Sequence, residues 1–328
     1  MVNLKYLFTV FTPTFNRAHT LDIVFESLMK QTFKVLNGRP VFEWLIVDDG
    51  STDNTKQLIE TFQLKADFPI QYHFQQNAGK HLAINKGAAH AKGRFFLIAD
   101  SDDEFLPQTL SIFYRHWQGL TEQQKKVCAG VACLSKEAYT GETIGSKNMN
   151  HFPVFTYELP YNIKHRRYYD TWGFIRLDIM KKFPFPNIIE EKFIPEGVVW
   201  NKICRNYKRL ITNEVLRIVH YRKDGFSKNV RLNYYRYSLG FYFYYMLNLQ
   251  NNADLLARYD MLYLMKEIIQ LFRVGFHSHI SLLYTIKKLR NHAIPIVFMI
   301  VLLPFSLLLT IYDLLYKKFN KNNLKTSP

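Results

Sequence analysis

The first third of this 328-residue chain predicts an α/β fold with a mostly parallel, Rossmann-like sheet flanked by helices. Apolar runs of strand length occur at 6–11, 44–47, 70–74 and 95–99, and segments with helical spacing lie between them at 21–29, 54–62 and 79–91. Strands that are connected through helices run parallel to one another. Their carboxyl ends therefore meet at one edge of the sheet, where ligands bind in such folds.

Each predicted strand is followed by a cluster of polar residues. The clusters are Thr-Pro-Thr-Phe-Asn-Arg at 12–17, Asp-Asp-Gly-Ser-Thr-Asp at 48–53, Gln-Asn-Ala-Gly-Lys at 76–80 and Asp-Ser-Asp-Asp at 100–103. Turns alone explain Asp-Gly-Ser and Asn-Ala-Gly. They do not explain paired carboxylates at the ends of two strands, so the four clusters together predict a ligand-binding site.

The fourth strand ends in a concentration of acids. Four of the five residues after it are carboxylates: Asp100, Asp102, Asp103 and Glu104. Such groups repel one another and resist burial unless a cation or water satisfies them. Because oxygen ligands suit Mg2+ or Mn2+, this pattern predicts a divalent metal site. The alternative is a solvated loop that caps a helix.

Two common nucleotide-binding motifs are absent. The chain has neither GxGxxG after the first strand nor GxxxxGK[ST], which disfavours a dinucleotide site and excludes a P-loop. A nucleotide can still bind if Asp48 or Asp49 accepts hydrogen bonds from uracil or ribose and a metal at Asp100 and Asp102 holds a diphosphate. Lys80 either adds positive charge for the phosphates or is a surface lysine at a helix start.

Residues 11–107 resemble the nucleotide-sugar-binding half of inverting family 2 glycosyltransferases of the bacterial surface-polysaccharide type. The motifs that carry the resemblance are TPTFNR, IVDDGSTDNT, QNAGKHLAINKGAAHAKG and FFLIADSDD. The resemblance implies a GT-A fold and a metal-dependent transfer, with inversion, from a UDP-sugar to an acceptor hydroxyl. It also implies Mn2+ or Mg2+ as cofactor and a glycan or lipid-linked acceptor.

The resemblance further implies which residues bind the donor. Asp100-Ser101-Asp102 corresponds to the DxD metal motif, and Pro13, Thr14, Asp48 and Asp49 cradle the nucleoside. We add to this donor set Phe15, Arg17, Asn77 and Lys80 from the polar clusters, and Trp172 from later in the chain.

The family places the acid that activates the acceptor at the start of a later helix, often in a Glu-Asp pair. Here the pair reads Glu196-Gly197, so Glu196 is the candidate base by position, with Glu190 and Glu191 as substitutes. The chemistry requires a carboxylate because a base must take the acceptor hydroxyl proton. An acid in the first turn of a helix also has a purely structural explanation, which is compensation of the helix dipole.

Three further groups have both a functional and a structural interpretation. Trp172 either stacks on a sugar or belongs to the core. His220 is either a third metal ligand or a structural histidine on a strand. Arg222 and Lys223 either neutralise the leaving diphosphate or face solvent.

The C-terminal region differs in character, and we predict a catalytic domain at 1–226 followed by a helical region at 227–328. Residues 293–312 carry no charge, which is long enough for a bilayer span, although Pro295 and Pro304 interrupt the run. A transmembrane helix, a re-entrant hairpin, a kinked interfacial helix and a buried core helix are all open. Because nucleotide sugars are cytosolic, we expect the enzyme at the cytoplasmic face of the cell membrane.

Charge and cysteine content limit the alternatives. The net charge is +16, and residues 1–110 contain 11 basic and 12 acidic residues, so the basic excess lies entirely in the later part. We expect it to face a membrane surface and not nucleic acid, because no nucleic-acid reader motif is present. The three cysteines form no CxxC pair and predict reduced core residues. A catalytically silent nucleotide-sugar-binding module at the membrane is the alternative function.

Overall fold

The computed structural model describes residues 4–145, 153–166, 170–188, 191–221, 230–292, 294 and 296–319. The chain forms two compact units. The first contains residues 1–162, 167–188 and 202–221, and the second contains residues 163–166, 189–201 and 222–328. The predicted boundary at 226 stays a prediction, because it falls within 222–229, outside the described residues.

The first unit alternates strands and helices along most of its length. Its elements, in chain order and including the short α8 that leads from the second unit back into it, are β1 (Tyr6–Thr14), α1 (Leu21–Met29), β2 (Val35–Leu36), β3 (Arg39–Pro40), β4 (Phe42–Asp48), α2 (Thr55–Lys65), β5 (Ile70–Phe74), α3 (Lys80–His90), β6 (Gly93–Ile98), β7 (Asp103–Phe105), α4 (Thr109–Gln118), α5 (Glu122–Val127), β8 (Cys128–Glu137), β9 (Val154–Thr156), α6 (Glu158–His165), β10 (Thr171–Arg176), α7 (Leu177–Lys182), α8 (Gly197–Asn206) and β11 (Lys208–Val219).

One mixed sheet organises this unit, in the order β5-β4-β1-β6-β10-β8-β11-β7, with β9 paired to β11. The strands β5, β4, β1 and β6 are parallel, as the sequence predicts. In the other half, β10 pairs antiparallel with both β6 and β8. The predicted α/β fold is confirmed, and the parallel part of the sheet is the part that the N-terminal sequence encodes.

The central strands are buried on both faces, which explains their continuous apolar sequence. β4 is buried at every position and β1 at all but one. Aromatic rings fill the core beside them: the rings of Phe95 and Phe174 have centroids 4.4 Å apart, and Phe8 lies 5.2 Å from Phe95. The cysteines Cys128, Cys133 and Cys204 are buried and free, as expected.

The second unit is helical. It contains α9 (Val230–Arg236), α10 (Ser238–Tyr259), α11 (Met261–His277), α12 (Leu282–Leu289) and α13 (Ile296–Phe319). Asp260 separates α10 from α11, and its side chain caps α11 by accepting from the Tyr263 amide at 3.1 Å. The aromatic residues of α10 serve packing, since Phe241, Tyr242 and Tyr245 are buried.

Two strands of the first unit depend on pairing with strands distant in sequence. β11 runs continuously over 208–219, with register irregularities opposite β8. The short strand β9 pairs antiparallel with β11, and α6 follows it. Local sequence patterns do not report such pairing.

Candidate functional site

The carboxyl ends of the parallel strands bring the predicted polar clusters together. In the strand registers, Thr14 pairs with Asp48, and Asp48 pairs with Phe74. On the other side of β1, Phe11 pairs with Ile98, two residues before Asp100. The four loops that follow β1, β4, β5 and β6 therefore share one edge of the sheet, as the βαβ pattern predicts.

Side chains fasten the loop after β1 to the loop after β4. The Asn16 amide donates to Ser51 Oγ at 2.8 Å, and the Thr52 amide donates to Asn16 Oδ1 at 2.8 Å. Asn16 adopts a positive φ of 52°, a conformation that asparagine tolerates better than most residues. The Ala18 amide donates to Asp53 Oδ2 at 3.1 Å. These bonds fix the geometry of both loops at the edge.

Asp49 holds the loop after β5. It is 4% exposed, and its carboxylate accepts from Gln75 Nε2 at 2.7 Å and from the amides of Ala78 and Gly79 at 2.8 Å. Asp48 is also buried and accepts from the Ser51 amide and the Tyr72 hydroxyl, each at 2.8 Å. Both acids therefore organise neighbouring loops, whatever contact they make with a nucleoside.

Gly50 allows two of these loops to meet. Its φ is +91°, in the left-handed region that favours glycine, and a Cβ at this position would lie 2.8 Å from the backbone nitrogen of Asn77. No other residue type fits this turn without movement of the Asn77 loop. The IVDDGSTDNT motif thus contains a glycine for a steric reason.

The acidic loop after β6 is a tight turn in which the carboxylates face different partners. The Asp103 amide donates to the Asp100 carbonyl at 2.9 Å, and the Asp100 amide donates to Asp103 Oδ2 at 3.0 Å. Asp103 is buried and lies 3.7 Å from the Arg217 guanidinium of β11. Asp100 instead pairs with Lys80, whose Nζ lies 2.8 Å from Oδ2. Asp103 is therefore a structural member of the loop.

Electrostatics separate the three aspartates. Partial burial acts to raise the pKa of Asp100, but the charge and hydrogen bond of Lys80, together with the charge of Arg217, outweigh it, so the pKa is lowered and this carboxylate stays charged. Burial and then the negative charge of Asp100 raise the pKa of Asp102. Burial also raises the pKa of Asp103, against the effect of Arg217. The loop concentrates negative charge that the protein offsets only in part.

These residues fit a hard divalent cation. Asp100 and Asp102 supply carboxylate oxygens two residues apart, and a cation would offset the repulsion that raises the pKa of Asp102. Asp100 Oδ1 is buried and makes no hydrogen bond with the described residues, although the Lys80 ammonium is 2.7 Å away. Within the part of the chain that the structure describes, no three His, Cys, Asp or Glu side chains form a metal-binding group. The loop therefore offers two ligands and leaves the others to substrate or water.

His220 does not join this pair of carboxylates. Its Nε2 lies 2.8 Å from Glu104 Oε2, at the point where β11 pairs with β7. This contact explains the histidine structurally and gives no support to its expected role as third metal ligand. Arg222, Lys223 and Glu190 lie outside the described residues.

Trp172 belongs to the core, which corrects its assignment to the donor site. It is 5% exposed, and its indole N–H donates to the Ile98 carbonyl at 2.7 Å. The rings of Phe105 and Phe113 pack at 5.6 and 5.8 Å. A ring that is covered in this way has no face available to a sugar.

The remaining predicted donor residues lie in the loops at the same edge. Pro13 and Thr14 end β1 and are buried, and Thr14 Oγ1 has no hydrogen-bond partner among the described residues. Phe15 is 45% exposed, Ser101 is buried, and Arg17 and Asn77 are partly exposed. An unpartnered buried hydroxyl is costly, so Thr14 suits a group that receives a ligand.

In the second unit, Glu196 directly precedes α8, at the predicted helix start. It is partly exposed, and its Oε2 accepts from the Trp200 indole N–H at 2.9 Å. Glu191 is buried, and its two oxygens accept from the amides of Phe193 at 2.9 Å and Gly240 at 2.8 Å. Glu191 is thus committed to backbone contacts, whereas Glu196 is partly exposed and accepts from a side chain.

Gly197, where the resemblance would place an aspartate, has a packing explanation. A Cβ at position 197 would lie 2.7 Å from the ring of Tyr244 on α10. The tyrosine occupies the space that a side chain at 197 would need. The departure from the Glu-Asp pair therefore has a steric explanation within the same unit.

Several positioning residues of the site were missed by sequence reasoning. They are Asn16, Ser51, Asp53, Tyr72, Gln75 and Arg217. Asn16 lies in the TPTFNR motif, and Ser51 and Asp53 lie in IVDDGSTDNT, so these motifs could have pointed to them. Tyr72 and Arg217 carry no local signal, because their partners are 24 residues or more away in sequence.

Comparison with known proteins agrees with this architecture. The chain is 37% identical over 105 residues to the GalNAc(5)-diNAcBac-PP-undecaprenol beta-1,3-glucosyltransferase of Campylobacter jejuni, which covers 31% of this chain and 32% of that protein. It is 33% identical over 103 residues to poly(ribitol-phosphate) beta-N-acetylglucosaminyltransferase TarS of Staphylococcus aureus, with coverage of 31% and 17%. The aligned parts span about a third or less of these relatives.

Solved structures share the fold over most of the chain. S. aureus TarS 1-349 in complex with UDP-GlcNAc has a TM-score of 0.52 at 16% identity and covers 87% of this chain and 88% of that one. Residues 9–177, more than half of the chain, match the family described as glycosyl transferase family 2. The chain belongs to glycosyl transferase family 2.

Proposed function

We propose that this protein is a metal-dependent glycosyltransferase that moves a sugar from a UDP-sugar to an acceptor hydroxyl with inversion. The observation that carries the proposal is the pair Asp100 and Asp102 on the tight turn after β6, at the edge that also holds the Asp48 and Asp49 loops. The TarS structure with UDP-GlcNAc supports a uridine nucleotide as the donor.

The nucleoside binds at the loops after β1 and β4 in this proposal. Thr14 Oγ1 offers a buried hydroxyl with no described partner, and Asp48 and Asp49 retain free lone pairs on oxygens that accept protein bonds. Arg17 and Asn77 lie in loops fastened at the same edge. Lys80 pairs with Asp100 in this structure, so it is within reach of a diphosphate bound through a metal at Asp100 and Asp102.

Asp100 and Asp102 would hold Mn2+ or Mg2+, and the bound ion would supply Lewis-acid stabilisation of the leaving diphosphate. Two protein carboxylates with water and phosphate oxygens form a usual coordination set for such ions. A mannosyltransferase from Pyrobaculum calidifontis solved with GDP-Man and Mn2+ shares the fold, with a TM-score of 0.50, 16% identity and coverage of 94% and 84%. His220 is not needed in this set.

Glu196 is the proposed base. It takes the proton from the acceptor hydroxyl as the acceptor oxygen bonds to the sugar C1 and the bond from C1 to the diphosphate oxygen breaks. A single displacement of this kind inverts the anomeric centre. The position of Glu196 at the start of α8 and its partial exposure support this role over Glu191, which is buried and whose oxygens both accept from backbone amides.

The acceptor in this proposal is a glycan or a lipid-linked glycan, and the enzyme acts at the cytoplasmic face of the membrane. The C. jejuni relative, whose name contains a polyprenyl diphosphate glycan, supports this class of acceptor. The basic charge of residues 111–328 supports a location at an anionic surface.

Calorimetric titration of UDP with and without Mn2+ tests the proposal. Asp102→Asn should abolish the metal-dependent part of UDP affinity and leave the fold intact. The matched control is Asp67→Asn, an exposed aspartate that pairs with Lys34 at 2.7 Å. If Asp102→Asn bound UDP in Mn2+ as tightly as the wild type, the metal assignment would be wrong.

A further inference from the structure

Helix α13 buries polar side chains and exposes apolar ones, the opposite of a helix on the surface of a water-soluble protein. Its buried residues are spaced three or four apart, so they form one face: Met299, Leu302, Ser306, Thr310 and Asp313. Three of these five are polar. The polar side of α13 thus faces the protein.

The buried polar groups are all satisfied. Ser306 Oγ donates to the Leu302 carbonyl at 3.2 Å, and Thr310 Oγ1 donates to the Ser306 carbonyl at 2.8 Å. Asp313 accepts from Arg273 of α11 at 2.6 and 2.7 Å and lies 2.9 Å from His277 Nε2. This paired cluster fixes α13 against α11.

The outward face of α13 is apolar. Val297 is 72% exposed, Leu308 64% and Val301 58%. Eight more large apolar residues of the helix are 45% exposed or more: Ile296, Ile300, Phe305, Leu307, Ile311, Tyr312, Leu314 and Leu315. Only 28% of the apolar segment is buried, so α13 is not a core helix. An exposed apolar face of this length marks an interaction site.

We infer that α13 lies flat on an anionic lipid bilayer, with its outward face in the leaflet and its polar face docked on α11. The inverted polarity matches a helix with lipid on the outside. In the sequence, the apolar segment of the helix is flanked by basic residues that attract anionic headgroups: Lys287, Lys288, Arg290, Lys317, Lys318 and Lys321. The inference deepens the proposed membrane location and does not depend on the donor chemistry.

The packing of α13 distinguishes lying on the membrane from crossing it. The buried face of α13 packs against the rest of the second unit from Met299 to Asp313. This length is about 21 Å at the helical rise of 1.5 Å per residue. The helix beside it, α11, carries Lys266, Glu267 and Arg273 and does not suit hydrocarbon. Among the described residues, α13 is the one helix apolar enough to cross a bilayer. If α13 crossed the bilayer, it would have to separate from α11 or carry the charged residues of α11 into the hydrocarbon.

α12 also exposes large apolar side chains. Thr285 is buried and its Oγ1 lies 3.0 Å from the Tyr242 hydroxyl, whereas Leu283 is 78% exposed and Tyr284 51%. The Lys288 ammonium lies 5.5 Å from the centre of the Tyr284 ring. An aromatic ring beside a lysine suits the headgroup level of a bilayer.

Flotation of the full chain with phosphatidylglycerol-containing vesicles tests the lipid contact. Val301→Glu with Leu308→Glu should reduce the vesicle-bound fraction at least tenfold and leave UDP affinity unchanged. The matched control, Leu64→Glu with Tyr139→Glu, places two charges at positions 89% and 94% exposed in the first unit and should float like wild type. Equal flotation of both variants, or no flotation of the wild type, would overturn the inference.

Labelling in sealed inverted membrane vesicles tests whether the helix crosses. Cysteines introduced as Ser281→Cys, before α12, and Lys318→Cys, at the end of α13, should both react with a membrane-impermeant maleimide from the outside, because a flat α13 leaves the chain before and after it on one side. Protection of one of the two would show a crossing helix. If the protein instead leaves the membrane and self-associates through Val301 and Leu308, the outward face contacts a second copy and the lipid assignment is wrong.

Discussion

The Lys80 ammonium lies 2.8 Å from Oδ2 and 2.7 Å from Oδ1 of Asp100, at the position where the proposed metal would bind. Both side chains are about 40% exposed, so solvent screens the pair. Lys80 thus supplies positive charge to Asp100 in the absence of metal. It must share or release this carboxylate when a cation binds.

Lys80→Ala should therefore strengthen Mn2+ binding in the absence of nucleotide and weaken UDP binding in the presence of Mn2+. Because exposed ion pairs contribute about 0.2–1 kcal/mol, we expect a change in Mn2+ affinity of about 1.4-fold to fivefold. Electron paramagnetic resonance of free Mn2+ measures this affinity. Lys86→Ala is the control on the same helix, since Lys86 bonds to the Phe74 carbonyl. Weaker Mn2+ binding by Lys80→Ala would argue against competition.

Asp49→Ala should weaken uridine binding even without metal. The substitution removes the acceptor for Gln75, Ala78 and Gly79, so it loosens the loop that ends β5. Leaving buried amides without a partner costs about 1–3 kcal/mol, and we expect a similar fall in the free energy of unfolding. Denaturant unfolding and uridine titration in a chelator measure the two effects. If uridine binding survives and only metal-dependent binding falls, the nucleoside role of this loop is wrong.

The sequence predicted the half of the fold that local patterns encode. The strands β1, β4, β5 and β6 alternate with helices at short range, so period and turn residues were sufficient. The acidic turn after β6 was predictable for the same reason. Trp172 was not, because β10 enters the sheet between β6 and β8 through antiparallel pairing, and this pairing buries its indole.

The structural use of the acids was equally invisible in the sequence. The partners of Asp49 are 26 to 30 residues away, and two of them are backbone amides, which every sequence contains. Gly197 depends on Tyr244, which lies on a different helix. Composition and spacing identify which residues bear the chemistry, but side-chain packing decides which of them remain available.

Glu196→Gln should leave UDP binding intact and reduce transfer by about 10^2 or more, because the amide cannot accept the proton. Glu191→Gln is the informative comparison. This variant should lower the thermal stability and not the rate of transfer, since Glu191 accepts from the amides of Phe193 and Gly240. Release of UDP from a UDP-sugar in the presence of acceptor, measured beside thermal unfolding, separates the two. Normal turnover of Glu196→Gln would move the base to another group.

Glu267 should make the stability of the second unit depend on pH. Burial raises its pKa to about 7, with hydrogen bonds from Asn248 at 2.8 Å and from Tyr263 and the charge of Lys266 acting in the opposite direction. The ordinary value is 4.5, so between about pH 4.5 and 7 the folded state holds a proton that the unfolded state has lost. The free energy of unfolding must then fall as the pH rises through this window.

Glu267→Gln should remove this dependence, because the amide stays neutral and can still accept from Asn248. The shift corresponds to a loss on the order of 3 kcal/mol between pH 4.5 and 7 at about 1.4 kcal/mol per pKa unit. Hydrogen exchange of the α11 amides as a function of pH measures the opening of this unit. Glu60→Gln, at an exposed position on α2, is the control and should retain the wild-type slope. A wild-type slope in Glu267→Gln would mean that another group titrates, because the proton that Glu267 holds in the folded state is the only one this substitution removes.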